Sequence, residues 1–128
     1  MSSLSACVDL PPNAASVRVA RHVVTDLMRA WCAPHDVADA ALLVTELVAN
    51  VVDHVGGDAS FTLEVTLAGS WLRIAVVDGS SVVPVVQELS RDRTRGRGLQ
   101  MVQAIADRWG CEERQGGKRV WFDLSPAV

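Results

Sequence analysis

Residues 45–54 decide the fold, and they read Thr-Glu-Leu-Val-Ala-Asn-Val-Val-Asp-His. Glu46, Asn50 and His54 recur every four residues, so on a helix they share one face. A carboxylate and an amide one helical turn apart suit a hard cation with oxygen ligands, or a general base beside such a cation. A solvated polar face explains the same spacing. An apolar stripe beside these residues predicts that the helix packs on a core: Leu43, Leu47 and Val51.

The sequence before this stretch predicts that two helices follow each other. Apolar residues recur at helical spacing from residue 14 to residue 31, directly after Asn13, whose side chain suits a helix N-cap. Asp36 is placed to cap the second helix, which is predicted to run to about Val55. The decisive stretch therefore forms the second half of the second helix.

The sequence after this stretch predicts strands and one more helix. Residues 61–67 alternate strictly between apolar and polar, as a half-buried strand does. Four segments are predicted as two hairpins: 61–67 with 71–77, and 111–115 with 118–124. Residues 99–109 are predicted as a third helix ended by Gly110, and residues 5–9 as a short first strand. This order predicts an α+β two-layer sandwich formed by the whole chain, residues 1–128.

The composition and net charge of the chain disfavour some classes of protein, among them nucleic-acid-binding proteins and membrane-spanning proteins. A chain of 128 residues with 49% hydrophobic residues forms one globular domain with its own core. A net charge of −3 disfavours general nucleic-acid binding, because phosphate neutralisation needs a basic surplus. No apolar run approaches the roughly 20 residues of a membrane span, and three widely spaced cysteines are typical of reduced thiols. We therefore expect a cytoplasmic protein with no nucleic-acid or membrane partner.

Two further segments carry polar groups that suit ligand binding. Asp78-Gly79-Ser80-Ser81 follows a predicted strand, where a carboxylate can accept a hydrogen bond from a ligand; the same residues are typical of a simple turn. Residues 91–98 read Arg-Asp-Arg-Thr-Arg-Gly-Arg-Gly and lead into the third helix. Guanidinium groups beside the free amides of a helix N-terminus are typical of an anion site. A solvated or RNA-contacting arginine loop is the alternative.

Taken together, these segments resemble the Bergerat-fold (GHKL) ATPases, the family of gyrase, histidine kinases and anti-sigma-factor serine kinases. The matching segments are residues 45–54 for the N-box, 78–84 for a variant first glycine box, 95–102 for the second glycine box, and 107–110 and 117–122 for the end of the third helix and the last strand. Their order agrees from Asn13 to Leu124. The resemblance implies a mixed, mostly antiparallel sheet covered by three helices on one face. It is closest to short actinobacterial ATP-binding proteins akin to anti-sigma-factor serine/threonine kinases.

The resemblance also implies a role for each matching residue. Glu46 matches the general base that acts on the attacking hydroxyl or water, and Asn50 matches the magnesium ligand. His54 matches a position near the phosphates, and Asp78 matches the acceptor for the adenine amino group. The other nucleotide-contacting positions lie in and beside the glycine boxes: Ser80, Arg95, Gly96, Arg97, Gly98 and Leu99. The implied cofactors are ATP and Mg²⁺.

The implied function is an anti-sigma-factor-like serine/threonine kinase that phosphorylates a STAS-type anti-anti-sigma protein. A sigma factor is the alternative partner, and a homodimer is expected. Ser80 and Val82 replace glycines of the first box, and Arg119 stands where the last strand often carries a threonine near the adenine. These departures favour a rival function, a non-enzymatic module in which nucleotide only shapes a docking surface, whereas Glu46 favours catalysis. RNA binding by the arginine loop is disfavoured by the net negative charge.

Overall fold

The computed structural model describes residues 3–54, 60–79, 102–114 and 117–127. The elements are β1 (Ser3–Leu10), α1 (Ala15–Ala30), α2 (Val37–His54), β2 (Phe61–Ala68), β3 (Trp71–Asp78), a helical segment α3 (residues 102–105), β4 (Arg108–Arg114) and β5 (Gly117–Leu124). Both predicted long helices and both predicted hairpins are confirmed. The first strand extends three residues beyond the predicted 5–9, from Ser3 to Leu10.

The five strands form one sheet in the order β1-β2-β3-β5-β4. Each of the four pairings between these strands is antiparallel. The helices lie against one face of this sheet, so the predicted α+β sandwich is confirmed. Among the described elements, no helix is long and apolar enough to cross a membrane.

The core lies between the helices and that face of the sheet. Alternate side chains of the strands supply the apolar layer because successive residues of a strand point to opposite faces. The apolar strand residues buried in this layer are Leu10, Phe61, Leu63, Val65, Leu72, Ile74, Val76, Val120, Phe122 and Leu124. The buried helix residues that meet them are Ala20, Val24, Met28, Ala40, Leu43, Val44, Leu47, Val48 and Val51.

Both predicted helix caps are present in the structure. The Asn13 side-chain oxygen accepts a hydrogen bond from the backbone N–H of Ser16 at 3.2 Å. The Asp36 carboxylate accepts one from the backbone N–H of Asp39 at 2.9 Å. The Ser16 amide also bonds the Asn13 backbone oxygen at 3.0 Å, and Ala14 is the residue directly before α1, so Asn13 contributes to the helix start from one residue further back.

The predicted end of the third helix is wrong. The sequence predicted helix through Trp109 with Gly110 as its stop, but the described helix ends at residue 105 and β4 begins at Arg108. Trp109 pairs with Phe122, and Gly110 pairs with Trp121 in the sheet. A Cβ atom on Gly110 would lie 2.9 Å from the Trp121 ring, so this glycine makes room for an indole rather than ending a helix.

Candidate functional site

Helix α2 presents Glu46 and Asn50 at the edge of its buried face. Both side chains are half-buried, and they lie one helical turn apart beside the buried stripe of Leu43, Leu47 and Val51. Neither side chain makes a hydrogen bond or an ion pair with another residue that the structure describes. Their oxygens are therefore not committed to holding this part of the fold together. His54 is the last residue of α2.

Asp78 ends β3 and is buried. Its side chain follows Ile74 and Val76 in the alternation along the strand, which places it on the helix-covered face of the sheet. The sequence predicted the strand to end at Val77, with Asp78 beginning a turn; the structure includes Asp78 in the strand, and its side chain is 1% exposed. A buried carboxylate needs a positive charge or hydrogen-bond donors around it.

Lys118 of β5 is the described cation nearest in register to Asp78. The two residues are directly opposite each other in the β3–β5 pairing. The Lys118 Nζ atom lies 3.9 Å from the Asp78 Oδ2 atom, and the lysine side chain is 7% exposed. The sequence analysis did not identify Lys118. The signal that could have found it is the strand alternation, because Lys118 shares a phase with the buried Val120 and Phe122.

Arg119 lies on the opposite face of the sheet and is therefore not beside Asp78. Its guanidinium forms an ion pair with Glu64, and a second one with Glu112 at 3.4 Å. The resemblance implied that Arg119 occupies a position near the adenine, but strand alternation turns it away from the helix-covered face. Arg119 is thus not an obstacle to a ligand at Asp78.

Gly117 lets the start of β5 lie close to the end of β3. A Cβ atom at this position would come within 2.1 Å of the Asp78 backbone oxygen, which no side chain can do without displacing the backbone. Glycine is therefore required for the approach that brings Lys118 opposite Asp78.

The pKa of the Cys111 thiol on β4 is affected by the charges at this end of the sheet. Burial raises the pKa of the Cys111 thiol; the positive charge of Lys118 opposes this rise, and the negative charge of Asp78 adds to it. The three side chains come from three neighbouring strands, β4, β5 and β3, and all lie on the helix-covered face. They form a small electrostatic cluster that we call the strand-end cluster: Asp78, Lys118 and Cys111.

The other predicted site residues are outside the part of the chain that the structure describes. These are Ser80, Arg95, Gly96, Arg97, Gly98 and Leu99. The predicted anion site at residues 91–98 therefore stays a prediction. Within the described residues, no group of three or more His, Cys, Asp or Glu side chains is arranged to hold a metal ion.

Comparison with known proteins assigns the family. No curated protein matches the chain significantly. Residues 10–124 match the family model of the histidine kinase-like ATPase domain, which covers all the strands and helices from the end of β1 to the end of β5. The match spans far more than half of the 128 residues. The chain belongs to the histidine kinase-like ATPase domain family, whose members share the Bergerat fold.

Proposed function

We propose that this protein is an ATP-dependent serine/threonine protein kinase of the anti-sigma-factor type, with a STAS-type anti-anti-sigma protein as its substrate. The observation that carries the proposal is the pair on α2: Glu46 and Asn50 lie one turn apart, half-buried and without a partner among the described residues. Phosphoryl transfer uses a metal ion and a group that positions or deprotonates the nucleophile, and these two side chains could supply the metal ligand and the base. Family membership supplies the ATP-binding framework.

The residues in place fit ATP. The buried Asp78 carboxylate at the strand end is suited to accept a hydrogen bond from the adenine amino group. The Asn50 side-chain oxygen is suited to a magnesium ion. Mg²⁺ typically takes one or two protein oxygens and completes its shell with phosphates and water, so one ligand on α2 is sufficient.

Glu46 is assigned the proton transfer. Mg-ATP, when bound, would supply the phosphoryl group and leave as ADP, and the Glu46 carboxylate would accept the proton of the attacking serine or threonine hydroxyl. Asn50 would hold the metal from one turn further along α2, so neither side chain would displace the other. Most of the catalytic effect in such transfers comes from positioning and charge stabilisation, to which a correctly placed base adds.

A nucleotide-gated binding module is the second candidate function. Ser80 and Val82 stand where the first box of the family has glycines, and this observation favours weaker handling of nucleotide. In this alternative the protein sequesters a sigma factor without modifying it. Arg119 no longer supports the alternative, because it lies on the opposite face of the sheet from Asp78.

The location and assembly proposed here follow from the same function. A kinase that uses ATP and carries free thiols at Cys7, Cys32 and Cys111 is proposed to work in the cytoplasm. We also propose a homodimer that binds neither nucleic acid nor membrane. Sedimentation of the purified chain with and without Mg-ATP tests the dimer, and a single monomeric species under both conditions would contradict it.

The test of the kinase is transfer of labelled γ-phosphate to the partner captured from the native cytosol. Glu46→Gln is expected to bind ATP almost as the parent does and to transfer phosphate about 10²–10⁴-fold more slowly, the usual contribution of general base catalysis. Asn50→Ala is expected to lose metal-dependent binding and transfer together. Asp39→Asn removes the charge of a half-buried carboxylate in the first turn of the same helix and is the matched control.

Two outcomes would contradict the assignment. If Glu46→Gln transfers phosphate at the parent's rate, Glu46 is not the base. If the parent binds ATP and captures a partner but never phosphorylates it, the binding module replaces the kinase.

A further inference from the structure

The chain contains a single lysine, and this lysine is buried. Lysine and arginine together number 12, and all of them except Lys118 are arginine. Lys118 is only 6% exposed as a residue, although lysine is almost never fully buried in proteins unless it is paired. The position where the chain uses its one ammonium group is thus the position directly opposite Asp78. The positive charge of Lys118 therefore faces Asp78, the candidate acceptor for the adenine amino group.

The geometry explains why an ammonium differs from a guanidinium here. An arginine tends to bind a carboxylate in a bidentate fork and so to occupy both oxygens. Asp123 shows this in the same sheet, because the Arg73 Nε and Nη2 atoms reach its two oxygens at 2.7 and 2.9 Å. The Lys118 Nζ atom lies 3.9 Å from the Asp78 Oδ2 atom. A single ammonium group at that distance favours the ionised carboxylate, but unlike a guanidinium it does not form parallel hydrogen bonds to both carboxylate oxygens.

Gly117 and Cys111 fit the same arrangement. Gly117 allows the backbone of β5 to lie against the backbone of Asp78, and this contact fixes the backbone position from which the Lys118 side chain extends. The Cys111 thiol on β4 has a raised pKa, mainly through burial, and is therefore neutral at physiological pH. Glu113 of β4 is directly opposite Lys118 in the sheet, so the described titratable groups on this side are the lysine, the neutral thiol and this exposed carboxylate.

We infer that Lys118 is a positioning residue for the recognition of adenine. It acts through Asp78, because its charge keeps that carboxylate ionised and oriented to accept a hydrogen bond from the exocyclic amino group of adenine. This inference rests on the proposed ATP binding and adds a residue to the site. Without the ammonium, the buried carboxylate would lose one charge that helps to compensate its desolvation. It would then turn away or take up a proton, and in either case it would discriminate less between bases with and without the amino group.

The experiment compares two nucleotides that differ only in that amino group: ATP and purine riboside triphosphate, each titrated calorimetrically with Mg²⁺. The parent is expected to prefer ATP by roughly tenfold or more, because the second nucleotide lacks the amino group that donates to the buried carboxylate. In Lys118→Met the preference is expected to fall close to one. ATP affinity is expected to fall about tenfold, and the affinity for the purine nucleotide is expected to change by less than about threefold.

Arg119→Met is the matched control. It removes the same charge from the adjacent residue, whose side chain lies on the other face of the sheet. We expect it to keep the parent's preference for ATP. If Lys118→Met does not fold, Lys118→Gln makes the same comparison with a neutral polar side chain. Asp78→Asn should abolish the preference, and adding Lys118→Met to it should then leave the ratio of affinities unchanged.

The outcomes separate this inference from the proposed function. If Lys118→Met keeps the parent's preference, or weakens both nucleotides in parallel, Lys118 is structural and the inference is overturned while ATP binding stands. If the parent binds both nucleotides equally, Asp78 is not the amino-group acceptor and the inference again fails alone. If the parent binds neither nucleotide at millimolar concentration, the proposed function fails and the inference fails with it.

Discussion

At the scale of single residues, the three cysteines differ in environment. Cys7 and Cys32 are exposed, whereas Cys111 is half-buried in the strand-end cluster. Burial is the main cause that raises the pKa of the Cys111 thiol; Asp78, Glu113 and Glu112 add to the rise, and Lys118 opposes it. Since only the thiolate is nucleophilic, a raised pKa leaves less of the reactive form at neutral pH. Cys111 is thus the least reactive of the three thiols.

Alkylation with iodoacetamide at pH 7.5, followed by mass spectrometry, is expected to show two fast sites and one slow site. We expect Cys111 to react roughly tenfold or more slowly than the other two. The raised pKa of Cys111 favours its protonated thiol, so the Cys111 rate should go on rising as the pH is raised beyond the usual range for a thiol. In Cys111→Ser the slow site should disappear while both fast sites stay. Three equal rates in the folded protein would contradict the burial of this thiol.

At the scale of elements, the end of α1 contains a strained residue. Cys32 has a φ angle of +52°, the left-handed region that glycine adopts at low cost. The backbone N–H of Ala33 bonds the oxygen of Met28 at 2.9 Å, and that of Cys32 bonds the oxygen of Arg29 at 3.2 Å. These are the two hydrogen bonds of a Schellman motif, whose usual residue at this position is glycine.

Cys32→Gly is therefore expected to stabilise the protein by about 0.5–1 kcal/mol, because it removes the cost of a side chain in the left-handed region. Urea unfolding would show this as a higher midpoint with an unchanged slope. Cys7→Gly is the control, since Cys7 lies in the extended strand β1, where glycine is expected to destabilise by a similar amount. A lower midpoint for Cys32→Gly would show that the αL position is not strained.

The elements that could be predicted from the sequence are those with local signals. Asn13 and Asp36 fix the helix starts by their own hydrogen bonds, and strict alternation fixes residues 61–67 as a strand. The end of the third helix had no such signal. Residues 99–109 are spaced as on a helix, but pairing with β5 places Trp109 and Gly110 in a strand. Tertiary pairing outweighed local periodicity there.

The candidate site was predictable to a similar degree. The placement of Glu46 and Asn50 on one side of α2 could be predicted because a spacing of four residues has a direct meaning on a helix, whereas their roles stay predictions. Lys118 was missed because its importance depends on the register between β3 and β5, which no local pattern states. The same register shows that Arg119, one residue later, points to the other face. A shift of one residue in a strand exchanges the two faces of the sheet, so a motif match alone cannot assign a strand residue to a site.

At the scale of the whole molecule, the two faces of the sheet are stabilised differently. The helices cover one face with apolar contacts. On the other face, Asp123 is 1% exposed and holds two guanidiniums: Arg73 Nε lies 2.7 Å and Arg108 Nη2 lies 2.9 Å from its oxygens. Each guanidinium also covers an indole ring, with Arg73 4.0 Å from the Trp121 centroid and Arg108 3.7 Å from the Trp71 centroid. The aspartate thus ties β3, β4 and β5 together.

Asp123→Asn is expected to lower the free energy of unfolding by about 2–3 kcal/mol. The amide leaves two guanidiniums with a neutral partner, but these arginines are 38% and 51% exposed, so water recovers part of the loss that a fully buried pair would suffer. Glu112→Gln, which alters an exposed partner of Arg119, is the control and should cost less than about 1 kcal/mol.

Because Asp123 and Lys118 point to opposite faces of β5, Asp123→Asn should keep the parent's preference for ATP at any temperature where it stays folded. A changed preference in folded Asp123→Asn would show that the two faces are coupled; an unfolding free energy within about 1 kcal/mol of the parent's would show that the arginine pairs contribute little.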